Sequence, residues 1–190
     1  MSGRRSITRR LLLLATLLFG IRLEAQATMG ESQIKAMFVY NFLKFVEWPV
    51  DASASPKDPF VVLIIGDGPT ADATESFLES KMIGDRPLVV RRTQSDPSFT
   101  GVQAAFVVER DGKRLHRILG AATAAGVLTI GEGDDFATLG GVIGLLVENR
   151  KVRFDVDTSA AQSAGLRVSS KLLALTRNVR SSGDRSGSQR

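Results

Sequence analysis

The 190-residue sequence has no cysteine, one histidine, one tryptophan and one tyrosine. Without cysteine there are no disulfides, no thiolate metal ligands, no cysteine nucleophile and no lipoprotein anchor, so the fold must hold by packing alone. A single histidine, His116, excludes a histidine-rich metal site and has no second histidine to build on. It falls on the polar side of a helix, opposite Leu115, Leu119 and Ala122, and reads as a solvated side chain. The longest apolar run, Leu11 to Ile21, is 11 residues, and a spanning helix needs roughly 17–25.

That run follows Arg4, Arg5, Arg9 and Arg10 and precedes Ala25-Gln26-Ala27, the three-part layout of a secretory signal peptide cut after Ala27. The expected organisation is a signal peptide over 1–27, one domain over 28–180 and a disordered Ser/Gly-rich tail over 181–190, with the periplasm as destination and no membrane insertion after cleavage. The full chain carries 25 basic and 20 acidic residues. The leader takes five of the former and one of the latter, leaving 20 against 19. A net charge of +1, with no basic stripe interleaved with aromatics, excludes nucleic acid as a partner.

The mature chain alternates helical and strand patterns. Apolar residues at Ile34, Met37, Phe38, Phe42, Phe45 and Val46 predict a helix from Ser32 to Glu47, stopped by Pro49. Its apolar arc, widened by Val39, Tyr40 and Leu43, exceeds one contact surface. Phe38, Phe42, Phe45 and Trp48 are assigned to the core, while Val39 and Leu43 are expected on a dimer or partner surface. The run Val61 to Ile65 predicts a strand buried on both faces. Helix Thr70–Ser80, strand Pro87–Arg92, strand Ala104–Glu109, helix Lys113–Ala124 and strand Val127–Gly131 follow. Strands near Val142–Val147 and Val152–Val156 form a hairpin, then come a short helix near Ser159–Ala164 and a last helix over Ser169–Val179, capped by Ser169 or Ser170. The fold class is α/β: one domain with a mixed, mostly parallel sheet, an antiparallel C-terminal hairpin and helices on both faces.

The catalytic inventory is thin, so no catalytic residue, metal or cofactor is assigned. Gly66-Asp67-Gly68 joins a strand to a helix but lacks the later glycine of the dinucleotide fingerprint and a P-loop lysine, so it reads as a turn. Gly140 and Gly141 supply turn geometry, and Gly144 a bulge or close backbone approach. Gly165 ends the short helix. Asp155 and Asp157 share a strand face, and Asp157 is placed to cap the helix after it. With Arg167, Asp155 offers opposite charges to a zwitterionic ligand.

Two long segments carry a resemblance. "IKAMFVYNFLKFVEWP" and "GGVIGLLVENRKVRFDVDTSAAQSAGLRVSSKLLALTR" resemble the signatures at the two ends of the YfiR family of bacterial periplasmic proteins, and the layout between them also matches, over about Ser32 to Arg180. The resemblance implies a dimeric repressor rather than an enzyme. Its partner would be the periplasmic sensory domain of an inner-membrane signalling protein, a diguanylate cyclase, and binding would lower cyclic di-GMP and biofilm formation. It also implies a small-ligand site, in which Asp155 and Arg167 match family positions and Ser169 stands where a histidine is found. Asp157 replaces a typical asparagine, and disulfide-based redox control has no cysteine to act through. A different class of function, a small-ligand sensor acting on a membrane histidine kinase or transporter, is the alternative.

Overall fold

A computed structural model describes residues 30–48 and 58–181. The expected signal peptide and, apart from Ser181, the expected tail lie outside these residues. Helix α1 spans 30–45 and runs directly into β1 (Val46–Glu47). The helix therefore ends before the expected stop at Pro49, because Val46 and Glu47 pair antiparallel with Val168 and Arg167 of β9 (Arg167–Val168). This two-stranded sheet ties the start of the described chain to its end.

The main sheet has eight strands in the order β10-β8-β7-β6-β5-β2-β4-β3. Strands β2 (Phe60–Ile65), β4 (Arg86–Thr93), β5 (Ala104–Val107), β6 (Leu128–Glu132) and β7 (Ile143–Glu148) form its parallel centre. Strand β2 is buried at all six positions, as an all-apolar run covered on both faces requires. Strand β8 (Lys151–Asp157) returns antiparallel to β7 through a two-residue turn at Asn149 and Arg150, both at positive φ, the twist a tight hairpin favours. A short β3 (Met82–Ile83) pairs antiparallel with the start of β4.

Helices α2 (Pro69–Leu78), α3 (Gly112–Ala124) and α4 (Thr158–Ser163) lie between strands in the chain. Two cores result. On one face α1 packs Val39, Phe42 and Leu43 against Val62, Ile64, Phe106, Ile130 and Phe154. On the other, α3 packs Leu115, Ile118 and Leu119 against Val61, Leu63 and Ile65. His116 stays exposed on the outer side of α3.

The C-terminal region departs from expectation. The predicted helix Ser169–Val179 is a single turn, α5 (Ser170–Leu173), after which the chain becomes β10 (Asn178–Arg180), parallel to β8. Leu172 is buried and Leu173 packs on the core, but Leu175 is 68% exposed, so the leucine spacing does not describe one helical face.

Val39 and Leu43 require a correction. Both are 0% exposed, inside the α1 core, and present no surface to a partner. The exposed apolar residues of α1 are Ile34 and Met37, at 47% and 49%. The arc widens because α1 meets α2 as well as the sheet, Tyr40 facing Phe77 with ring centres 6.1 Å apart. Its aromatics form a cluster: Phe42 lies 4.9 Å from the Phe154 ring, Phe38 lies 5.8 Å from it, and Trp48 meets Phe60 edge-on at 5.0 Å. Phe45 packs on the same core, partly buried.

Candidate functional site

In an open parallel sheet, ligands bind beyond the carboxyl ends of the strands where the winding direction reverses. Here β2 lies between β4 and β5, and that point falls beside Gly66. At Gly66 the base of the crevice is closed. A Cβ on Gly66 would come within 2.1 Å of the Val108 carbonyl oxygen, so the two loops already touch. Arg92, at the end of β4, reaches Asp67 at 2.8 Å, Asp72 at 2.8 Å and Glu75 at 2.9 Å, and these bonds raise its pKa further. Glu109 accepts the amides of Asp111 and Arg110 and faces Arg114, which holds its carboxyl below the usual range despite burial.

The third cluster joins α1 to the sheet. Lys35 Nζ lies 2.6 Å from Glu132 Oε1, at the end of β6, and 2.7 Å from Glu31 Oε1 one turn back on α1. The hydroxyl of Thr70, in the first turn of α2, donates to the same Glu132 oxygen at 3.1 Å. Burial pulls the ammonium's pKa down, but the two carboxylates more than offset it and the net shift is upward. Glu132 thus occupies the positive end of α2, where an anion is favoured. Lys35 and Glu132 are 97 residues apart. Lys35 lies in the quoted N-terminal signature, but nothing in the sequence names its partner.

The residues proposed for a ligand go to three places. Asp155, 6% exposed, is held by Arg177: Nε donates to Oδ1 at 3.0 Å and Nη2 to Oδ2 at 2.5 Å, while the Asn178 amide adds a third bond at 3.1 Å. Arg177, held further above its usual range by this carboxylate, also faces Glu148 at 3.5 Å. This clamp fixes β10 to β8. Arg167 points outward, 82% exposed, and meets Glu47 at 3.4 Å. Ser169 caps α5, accepting the Leu172 amide at 3.3 Å, and its own amide donates to the Phe45 carbonyl at 3.0 Å. Arg177, not Arg167, is the cation facing Asp155. Ser169 lines a polar cleft of about 460 Å³ with Lys44, Phe45, Val46, Glu47, Ser170 and Lys171. Asp157 caps α4 through the Ser159 and Ala160 amides, at 2.8 and 2.9 Å.

The glycines near β7 make room for one ring. A Cβ on Gly131 or on Gly141 would each lie 2.1 Å from the Phe136 ring, on opposite edges. Gly144 brings its backbone against the Gly133 carbonyl, where a Cβ would sit at 3.2 Å. Gly140 and Gly165 adopt φ of 104° and 71°, left-handed geometry that a side chain disfavours.

The family described as YfiR/HmsC-like matches over residues 32–177. The chain belongs to that family. The family is a periplasmic one, regulatory rather than catalytic. No curated protein matches the chain. Among solved structures, a conserved domain protein from Vibrio cholerae O1 biovar El Tor is similar with a TM-score of 0.51 and 9% identity, over 78% of this chain and 60% of that one. That likeness concerns the fold alone, and this chain spans about 60% of the Vibrio protein's length. Among the described residues no helix is long and apolar enough to cross a membrane.

Proposed function

We propose that the protein represses an inner-membrane diguanylate cyclase by binding the cyclase's periplasmic sensory domain, as a homodimer, and so lowers cyclic di-GMP and biofilm formation. Family membership over nearly all of the described chain carries this reading. The site supports it in kind: the carboxylates at the usual ligand crevice are engaged by Lys35, Arg92 and Arg114 rather than aimed at a substrate. The test is to purify residues 28–190, tagged at the C-terminus, from the membranes of the native organism and identify what co-purifies. A cyclase with a periplasmic domain supports the reading. A histidine kinase or transporter, with no cyclase, sinks the cyclase assignment.

A second reading, a small-ligand sensor, is favoured by the cleft lined by Lys44, Ser169 and Lys171. Two lysines suit a ligand carrying a carboxylate or phosphate, with Arg167 at the nearby β1–β9 strand pair. Titration with small carboxylates, followed by fluorescence of Trp48, tests it. A saturable change abolished by K171E supports a ligand site, and no change at millimolar concentration removes it.

A further inference from the structure

Among the described residues the β4 edge of the main sheet is only partly covered. Strand β3 pairs only with Arg86 and Pro87, so most of β4 has a strand neighbour on one side only. The direction of its backbone groups follows from two hydrogen bonds. Gly66 N–H donates to the Thr93 carbonyl at 2.9 Å, so Thr93, and with it Arg91 and Val89, turn their backbone groups toward β2. Leu88 N–H points the other way and donates to the Lys81 carbonyl at 2.9 Å. Val90 and Arg92 share that outward direction. Their amides and carbonyls face no strand among the described residues.

The side chains along this edge have a consistent chemistry. Val89 is 39% exposed. Arg91 is exposed and makes no ion pair among the described residues. Lys81, beside the edge, sits with Nζ 5.0 Å over the Phe77 ring and likewise meets no carboxylate there. Pro87 lies at the end already covered by β3, and the charges farther along, Arg91 and Lys81, discourage pairing with a like-charged edge while suiting an acidic one. Two copies pairing edge to edge about a two-fold axis would bring Arg91 toward its own counterpart, which like charge disfavours.

We infer that the β4 edge is a docking surface for an extended, acidic segment of a partner protein. That segment adds a ninth strand through the amides and carbonyls of Val90 and Arg92, lays an apolar side chain on Val89 and sets carboxylates against Arg91 and Lys81. The inference deepens the binding-protein reading above, and the identity of the partner rests on that reading.

The test uses the full-length chain expressed in its own organism, with a photo-crosslinking benzophenone side chain at position 89 and, as control, at position 117 on the exposed side of α3. Adducts are mapped by mass spectrometry. The expected result is an adduct from position 89, and not from 117, to an Asp/Glu-bearing segment of another protein. V90P removes one outward amide while leaving the bonds to β2, and R91E reverses a charge that makes no ion pair among the described residues. Each should lower the adduct yield about tenfold, the effect of losing one backbone or charge-assisted bond. Should V90P fail to fold, R91E decides alone. Absence of an adduct at position 89, an adduct to a second copy of this chain, or yields unchanged in both variants overturns the inference. An acidic-segment adduct to a protein that is not a membrane signalling protein leaves the docking surface standing and sinks the cyclase reading.

Discussion

Replacing Lys35 with methionine keeps the volume of the side chain and removes its charge, leaving the Glu132 carboxylate, among the described residues, with the Thr70 hydroxyl as its bond. Taking one partner from a fully buried ion pair costs about 3–5 kcal/mol. The Lys35 side chain is 10% exposed, but Glu132 is 31% exposed and keeps some water, so the full penalty does not apply. The bond to Glu31, 45% exposed and one helical turn away, adds about 0.3–0.5 kcal/mol. K35M should therefore destabilise the protein by about 2–3 kcal/mol. Because the penalty belongs to a stranded carboxylate, E132Q should recover part of it, and K35M/E132Q should be more stable than the sum of the single variants implies by about 1–2 kcal/mol. Urea unfolding measures this directly. The chain has one tryptophan, and Trp48 packs against Phe60 in the core, so its fluorescence follows the fold without labelling. A K35M effect below about 0.5 kcal/mol, the level expected of a solvated surface pair, or strict additivity in the double variant, would refute the argument.

R177A should strand Asp155 and cost about 3 kcal/mol, with faster amide exchange at Asn178–Arg180 ahead of the central strands; unchanged exchange would mean β10 is held without the clamp. G131A should cost about 1–3 kcal/mol in thermal or urea unfolding because its Cβ meets the Phe136 ring, and G131A/F136A should be no worse than F136A alone. Stability should fall at both ends of the pH scale. Glu109 has a lowered folded pKa, so its contribution is complete above its ordinary value of 4.5 and is lost as pH falls through the folded one. Lys35 has a raised folded pKa, so its contribution is complete below 10.5 and is lost as pH rises through the folded one, a limb that K35M should flatten in melting curves.

The parallel centre was legible because local signals sufficed. A continuous β-branched and aliphatic run such as Val61–Ile65 reads as a strand covered on both faces, and the hairpin turn and the caps at Asp157 and Ser169 follow from residues two or three apart. What escaped was decided by distant partners. Strands β1, β3 and β9 have two residues each, too few for any periodicity, and exist because of what lies beside them. The last helix was overextended because Leu172, Leu173 and Leu175 have helical spacing, whereas Arg177 is drawn to Asp155 and turns the chain into β10. Placing Val39 and Leu43 on a surface assumed that α1 touches one neighbour, whereas it packs on the sheet and also meets α2 through Tyr40. The Lys35–Glu132 bond spans most of the domain, and one sequence does not reveal which carboxylate a buried lysine finds.

The pairing of Val46 with Val168, and the seat of Phe42 on Phe154, also set an order of events. An early helix is completed by segments far along the chain, so α1 has no finished surface to settle on until the hairpin and β9 have been made. Contacts so distant along the chain slow folding, since the loop must close before they contribute. A helix whose final partners come so late in the sequence is expected to lock last, and refolding followed by Trp48 fluorescence would show whether the α1 cluster forms in the slow phase.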